Sequence, residues 1–228
     1  MVTFTLATVM KPIVVRIRLK WLPALAAAVL LHGCASLPPQ PAMNLSEPGW
    51  VIREGQAAWK KSASGPAQPG RLTVALNTDG RNVVQFNTAS GETISVQSSA
   101  SFWQAQLPGR QKILTGRGKV PQDILWLQLP GGLLGNSAEE TEWMMNRERG
   151  RPWRFYHDLT GESLEGTLAT TRMPARHRVQ PGEHIIRVVR RYGITVEALR
   201  AVNPGRDLDW FRTGNDINLP AVDQTARE

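Results

Sequence analysis

Residues 71–86 read RLTVALNTDGRNVVQF, and this stretch decides how the middle of the chain folds. Apolar side chains alternate with polar or small ones from Leu72 onward, and a second apolar run follows the turn. A period of two is typical of a β-strand with one buried face. Asp79-Gly80 between the runs predicts a two-residue turn of type I′, because both residues accept positive φ angles. The stretch therefore predicts an antiparallel β-hairpin.

The same character continues along the middle of the chain. Segments between Gly- or Pro-containing turns predict six further strands, at residues 93–98, 102–107, 111–115, 124–129, 153–157 and 163–169. Residues 50–61 are expected to form a short helix or an irregular segment, and residues 144–151 a loop or a short helix. Together these patterns predict a curved, mostly antiparallel β-rich domain over residues 46–170.

One stretch, residues 125–134, is apolar enough to insert into a membrane. A buried strand followed by a tight glycine turn explains it without membrane contact, and this interpretation is preferred.

Residues 177–220 change to another pattern. Apolar residues first recur at helical spacing, on one face of a helix that Gly193 ends. A second helix begins at Thr195, a good N-cap residue, and ends before Asn203-Pro204. A short segment closed by Pro220 predicts a final strand. The order strand, helix, helix, strand makes a compact βααβ unit, so the predicted fold class is α+β.

This unit resembles the LysM domain. The resemblance rests on the first strand and turn, the end of the first helix, the second helix, the loop after it and the closing strand: Val179-Gln-Pro181-Gly182, Arg190-Arg-Tyr192-Gly193-Ile194, Val196-Glu-Ala-Leu199, Asn203-Pro204 and residues 214–220. The chain departs from the family at Glu183-His184-Ile185, where Asp-Thr-Leu is usual, and in a longer loop at residues 205–212. The resemblance implies binding of glycans that contain N-acetylglucosamine, mainly peptidoglycan in bacteria.

The resemblance also implies a shallow groove between the turn after the first strand and the loop after the second helix. By position, nine residues would line this groove: Gln180, Pro181, Gly182, Glu183, His184, Ala201, Val202, Asn203 and Pro204. Exposed backbone groups of the two turns can hydrogen-bond N-acetyl amides, while apolar side chains accept the sugar's methyl and ring faces. The same Pro-Gly and Asn-Pro sequences are also turn formers that the fold itself requires. Trp210 either extends the groove by stacking or packs on the side of the unit.

Residues 1–33 have the order of a secretory signal. A basic segment precedes the apolar run 21–31, which is shorter than the roughly 20 residues that span a bilayer. Leu31-His32-Gly33-Cys34 resembles the lipobox of bacterial lipoproteins, apart from His32. The resemblance implies cleavage before Cys34, a diacylglyceryl group on its thiol and a further acyl chain, such as palmitate, on its amine. An ordinary signal peptide is the alternative.

The same region also bears on the start codon and on the cellular location of the protein. Met10 offers a second start. The Pro-rich residues 34–45 predict an extended tether. Ala35 stands where aspartate would favour retention in the inner membrane, which favours an outer-membrane location facing the periplasm.

The composition of the chain bears on its net charge, on its partners and on its capacity to form disulfides. Four of the 27 basic residues and none of the 19 acids lie in residues 1–33, so the formal net charge falls from +8 to +4 after cleavage. No basic run with interleaved aromatic residues occurs, which disfavours nucleic acid as a partner. Cys34 is the single cysteine, so no disulfide can form within the chain.

Residue types also argue against catalysis. His157, His177 and His184 stand singly, without the spacing of a zinc site, and no phosphate-binding loop is present. Neither a metal nor another cofactor is therefore predicted. Asp158 with Glu162 or Glu165 could serve a hydrolase, but carboxylates beside a turn are usually solvated. The protein is therefore predicted not to be an enzyme.

The middle domain resembles the half-barrel domains of outer-membrane lipoprotein receptors over about residues 50–168. The resemblance rests on Gly70-Arg-Leu-Thr-Val74, Val84-Gln-Phe86 and residues 116–129. It implies a curved sheet around a cavity for acyl chains, which three tryptophans would line: Trp103, Trp126 and Trp153. Ordinary core positions are the preferred interpretation of these tryptophans.

The sequence thus predicts a cell-envelope lipoprotein of six parts, anchored by lipid at one end and bound to peptidoglycan at the other. The parts are the signal 1–33, the tether 34–45, the β-rich domain 46–170, a linker 171–176, the LysM domain 177–220 and a tail 221–228. The alternatives are a carrier of acyl chains that uses the β-rich domain, and a cell-wall hydrolase.

Overall fold

The structure, a computed structural model, describes residues 38–135, 142–147, 151–208 and 212–222. The signal segment, Cys34, Trp210 and the end of the tail lie outside these residues. In order, the described elements are β1 Trp50–Lys60, β2 Gln68–Asn77, β3 Asn82–Thr88, β4 Thr93–Ser98, β5 Phe102–Gln106, β6 Leu114–Arg117, α1 Leu125–Leu134, β7 Trp143–Asn146, β8 Trp153–His157, β9 Ser163–Gly166, β10 Ala169–Arg172, β11 Arg176–Arg178, α2 Ile185–Tyr192, α3 Val196–Ala201 and β12 Asp216–Asn218.

Antiparallel pairing dominates the fold. Nine strands follow the order β6-β5-β4-β3-β2-β1-β9-β8-β7, β10 pairs with β1 beside this path, and β11 pairs with β12 in a separate two-stranded sheet. The mostly antiparallel, α+β fold is therefore confirmed. The strands predicted at 93–98 and 153–157 have the bounds of β4 and β8.

The hairpin of residues 71–86 forms, but its turn differs from the prediction. The Gly80 amide donates to the Asn77 carbonyl at 3.2 Å, and the Asn77 amide donates to the Arg81 carbonyl at 2.8 Å. Gly80 has a φ of 90°, whereas Asp79 has no positive φ. The loop is therefore three residues long and ends in a left-handed glycine, so the predicted type I′ turn is wrong.

Strand β1 replaces the helix or irregular segment expected over residues 50–61. Alternate side chains on one face are buried, among them Val51 and Trp59, but Arg53 occupies one of these buried positions. Trp50, on the opposite face, is also buried. Because Arg53 occupies an interior position and apolar Trp50 and Ile52 lie on the opposite face, the sequence of β1 lacks the alternation of a half-buried strand.

Helix α1 replaces the strand expected at 124–129. Its residues are almost all apolar, and a continuous apolar run has no period that distinguishes a buried helix from a buried strand. Trp126 stacks on Phe86 with ring centres 5.1 Å apart and meets Trp59 edge to face at 5.3 Å. Trp126 and Trp153 are therefore core residues, and Trp103 packs against the same core.

The sheet curves around α1. Nine strands at about 4.8 Å spacing would span roughly 38 Å if flat, whereas a ten-residue helix is about 15 Å long. One hydrophobic core nevertheless joins α1 to Ala105 of β5 near one edge and to Trp143 of β7 at the other. The helix contacts β4 and also the edge strand β7, which would lie about 29 Å apart in a flat sheet, so the sheet bends toward it.

The segment after β9 is part of the sheet as well. The strand predicted at 163–169 breaks into β9 and β10, because β1 changes partner there: Ala57 pairs with Gly166 and Glu54 with Ala169. The linker expected at 171–176 therefore begins as strand rather than as free chain. Residues 144–146 also differ from the prediction for 144–151, since they belong to β7, which pairs with β8 where a loop or a short helix was expected.

The tether expected at 34–45 is attached to the sheet where the structure describes it. The Gln40 amide donates to Gln104 Oε1 at 2.8 Å, and the Met43 amide donates to Gln97 Oε1 at 3.0 Å. Part of the segment is therefore docked.

Residues 176–219 form a second, smaller core with the predicted order of strand, helix, helix and strand. This core contains buried side chains from α2, α3 and β12, from the segments that flank them and β11, and from the large sheet: Val51, Val179, Val188, Val189, Tyr192, Leu199, Leu208, Ile217 and Leu219. Val51 belongs to β1, so the large sheet contributes directly to the packing of this βααβ unit.

Candidate functional site

The first turn of the βααβ unit connects β11 to α2. The Glu183 amide donates to the Gln180 carbonyl at 3.1 Å, which closes the turn. Gly182 has a φ of 69°, and a Cβ built there would have no neighbour within 4 Å. The turn is thus open to solvent at Gly182, while its backbone is one that L side chains adopt only with strain.

A buried hydrogen-bond network holds this turn from below. His177 Nε2 lies 2.6 Å from Glu183 Oε2, and His177 Nδ1 lies 2.8 Å from the Tyr192 hydroxyl. The Gln180 amide donates to the same Glu183 oxygen at 3.1 Å. Because an ionised carboxylate only accepts, His177 Nε2 is the donor to Glu183. The network therefore ties the turn to β11 and to the end of α2.

The electrostatics of Glu183 follow from these contacts. Burial alone would raise the pKa of Glu183, but hydrogen bonds from His177 and from the Gln180 amide hold that pKa below its ordinary value. Burial also raises the pKa of the Tyr192 hydroxyl, which stays protonated. Glu183 is consequently an anion that positions the turn.

The second turn follows α3 and is fixed by Asn203. The side-chain amide of Asn203 donates to the Leu199 carbonyl at 2.9 Å and to the Asn218 carbonyl at 2.8 Å, and Asn203 Oδ1 accepts from the Asn218 amide at 2.9 Å. Asn203 is buried, and its bonds join the end of α3 to β12.

The nine predicted groove residues thus fall into two classes. Glu183 and Asn203 are buried and hold the two turns. Val202 is half-buried, and the remaining six are exposed: Gln180, Pro181, Gly182, His184, Ala201 and Pro204. Glu183 of the first turn is hydrogen-bonded to His177 of β11, and Asn203 of the second turn is hydrogen-bonded to Leu199 of α3 and Asn218 of β12.

A small cavity of about 100 Å³ adjoins the first turn. Six residues line it: Leu134, Gln180, Pro181, Glu183, Arg187 and Arg191. Arg191 Nη2 lies 3.8 Å from Glu183 Oε1. The two arginines and Leu134 were not predicted for the site, although a spacing of four residues places Arg187 and Arg191 on one side of α2. The helical period could therefore have predicted that Arg187 and Arg191 lie near the first turn. Leu134 belongs to α1 and reaches the cavity only through tertiary packing.

The other residues considered for catalysis have separate surroundings. His157 is not isolated, since its Nε2 lies 2.9 Å from Glu142 Oε2. Glu162 accepts from Trp59 Nε1 at 2.9 Å, and burial raises its pKa. Glu165 instead lines a cavity of about 420 Å³ with Lys60 and Arg154 among its neighbours. Among the described residues, no group of three or more His, Cys, Asp or Glu side chains could hold a metal ion.

Comparison with family models and with curated proteins finds no match for this chain. Among the described helices, none combines the length and the hydropathy that crossing a membrane requires.

Proposed function

We propose that this protein is a cell-envelope lipoprotein that binds peptidoglycan through residues 177–220 and is anchored through an acylated Cys34. The observation that carries the proposal is the arrangement of the two turns. Buried Glu183 and Asn203 fix their backbones, while six neighbouring positions remain exposed. Two fixed, exposed turns offer backbone donors and acceptors to N-acetyl groups without a large ordering cost on binding.

The site suits an uncharged glycan chain better than a small metabolite. It is an exposed surface beside a cavity of only about 100 Å³, well below the size of the pockets that enclose drug-sized ligands. The residues around it include two arginines, which can approach the carboxylates of a peptide stem on the glycan.

The acyl-carrier and hydrolase alternatives receive less support. Helix α1 packs on the apolar face of the sheet and so occupies the place that an acyl chain would take in a half-barrel. Asp158 is exposed on the turn after β8, Glu162 accepts from Trp59, and Glu165 lines the cavity beside Lys60 and Arg154, so neither Asp158 with Glu162 nor Asp158 with Glu165 lines that cavity as a pair.

The test measures sedimentation of the full-length protein with purified peptidoglycan. Gly182→Trp should cover the first turn and weaken binding at least tenfold, because it blocks several weak contacts at once. Gly91→Trp is the matched control, since Gly91 is also exposed, also has a positive φ and also has no neighbour within 4 Å of a built Cβ. If folded Gly182→Trp binds as the control does, the glycan site lies elsewhere.

A further inference from the structure

We propose that the hairpin formed by β5 and β6 is the face that rests on the membrane, where it contacts anionic phospholipid headgroups. This inference rests on the proposed acylation of Cys34, because the position of the lipid relative to the folded chain is its starting point. It identifies a surface that is separate from the proposed glycan site.

The first observation is a pair of glutamines that hold the tether. Gln97 of β4 and Gln104 of β5 are directly opposite in the sheet register. Gln104 accepts from the Gln40 amide at 2.8 Å and donates to the Gln40 carbonyl at 3.1 Å. Gln97 accepts from the Met43 amide at 3.0 Å and donates to the Pro41 carbonyl at 2.9 Å. Each glutamine amide thus binds the backbone of the tether on both its donor and its acceptor side.

The second observation is where the tether arrives. On the N-terminal side of Gln40 lies Pro38. Together with Phe102, Trp103 and Arg117 it lines a cavity of about 400 Å³ at the β5 and β6 edge. The Trp103 indole packs on Gly116, where a built Cβ would lie 2.4 Å from the ring. The docked segment therefore passes from β4 across β5 toward β6, an edge strand of the sheet.

Chain length then limits the distance to the membrane. Cys34 precedes Pro38 by four residues, and four residues span at most about 14 Å when fully extended. Because Gln97 and Gln104 hold the following segment, the tether has no further slack to supply. A lipid on Cys34 consequently brings the membrane surface close to the β5 and β6 edge.

Charge complementarity supports the same face. Residues 93–122 contain four basic residues and no acid. Three of them, Arg110, Lys112 and Arg117, are exposed on the hairpin or in its loop, and we call these three the basic hairpin residues. Phe102 and Trp103 of the same hairpin are half-buried, and Phe102 is directly opposite Arg117 in the sheet register. Basic groups next to aromatic rings are the usual composition of a surface that contacts headgroups, and each basic residue near an anionic surface strengthens attachment about fivefold.

The test measures which face of the acylated full-length protein is shielded in vesicles. Since Cys34 is the single cysteine and is acylated under the proposal, an introduced cysteine is the only free thiol. Gln111→Cys places a nitroxide label on the loop between β5 and β6. Leu159→Cys places it on the exposed turn between β8 and β9. Collision of each label with a water-soluble nickel chelate is measured in phosphatidylcholine vesicles with and without phosphatidylglycerol.

The label at position 111 should become severalfold less accessible when phosphatidylglycerol is present, and added salt should reverse this change. The label at position 159 should be equally accessible in both vesicles. Serine at all three basic hairpin residues should abolish the shielding. The matched control, serine at Arg71, Arg154 and Arg178, removes the same charge from exposed positions elsewhere and should leave it intact.

Each other outcome overturns a distinct statement. Two outcomes overturn the docking face alone. In the first, the protein inserts but the label at position 111 is equally accessible in both vesicles. In the second, the control substitutions abolish the shielding as fully as serine at the basic hairpin residues does. Shielding at position 159 instead assigns the membrane to another face and overturns it too. Protein that carries no acyl chain and inserts into neither vesicle overturns the acylation of Cys34, and with it the present inference.

Discussion

Glu183 is a buried carboxylate in the turn between β11 and α2. The resemblance to the LysM domain predicts that it lines a sugar-binding groove, yet its carboxylate is buried against His177 and the Gln180 amide. Its contribution to the site is to fix the backbone that a ligand would contact. A buried anion with three polar contacts of this kind is costly to disrupt, because its partners are then left unpaired.

Substitution of Glu183 by Gln should reduce the free energy of unfolding by about 1–3 kcal/mol at neutral pH. The pKa of Glu183 is lower in the folded chain than in the unfolded one, so the folded state binds fewer protons in that range. The stabilisation is therefore present above the ordinary carboxyl pKa and is lost as the pH falls through the folded value.

Urea unfolding of both proteins at neutral and acid pH measures this effect. The difference between them should be largest at neutral pH and should shrink in acid. Glu92→Gln, on an exposed turn, is the control and should change stability little. A difference that grows as the pH falls would contradict the assignment of Glu183 as a stabilised anion.

At the scale of elements, β1 links the two cores of the protein. Val51 is buried in the smaller core, while Ala57 and Trp59 are buried in the larger one. Arg53 lies between them and donates to the carbonyls of Arg190 and Arg191 at the end of α2. Burial, followed by the charge of Arg147, lowers the pKa of Arg53 to about 10, which still leaves it charged at neutral pH.

Gly55 marks the place where β1 exchanges β9 for β10. A Cβ built there would lie 1.8 Å from the Thr167 carbonyl oxygen, so Gly55→Ala should force the backbones apart. We expect a loss of about 3 kcal/mol or more in the free energy of unfolding, at the upper end of overpacking effects. Thermal and urea denaturation measure it. Gln56→Ala, an exposed neighbour in the same strand, should change stability by less than about 0.5 kcal/mol. Equal effects of the two substitutions would show that the crossing is not close.

How well each element could be predicted depends on which of its faces are covered. Strand β4 shows its period because apolar Ile94 and Val96 share one buried face. Strand β1 hides its period because Trp50 is buried opposite Val51, and Arg53 occupies an interior position. Helix α1 is apolar on every side, so neither helix nor strand is favoured by its pattern.

The candidate site likewise contains some residues that local sequence predicts and others that only tertiary packing brings together. Turn formers such as Pro181-Gly182 and Asn203-Pro204 can be found by their local chemistry. The hydrogen-bond network around Glu183 cannot be predicted from local sequence. Its members meet only in the folded unit, because the Tyr192 hydroxyl reaches His177 only after α2 has packed. The tether contacts of Gln97 and Gln104 are also long-range, and no local pattern predicts them.

At the scale of the whole molecule, the proposed function needs a lipid at one end. Cys34→Ser removes the thiol that lipidation requires, so radiolabelled palmitate should be incorporated into the wild-type protein and not into the variant. Buried acyl chains contribute about 0.8 kcal/mol per CH₂, so the variant should also leave the membrane fraction after cell lysis. The comparison is made in cells that express both proteins at equal levels. Equal labelling of the two proteins would exclude lipoprotein processing at this cysteine.

The pairing of β1 has a consequence for the order in which the protein matures. Ile52 finds Ala75 of β2 early in synthesis, but its other neighbour, Arg172, is made only near the end of the chain. Contacts between such distant residues form slowly, because a long loop must close first. Until then β1 has an unpaired edge, a surface that other extended chains can join. A truncated or stalled product that lacks β9 and β10 should therefore self-associate, whereas the finished chain covers that edge itself.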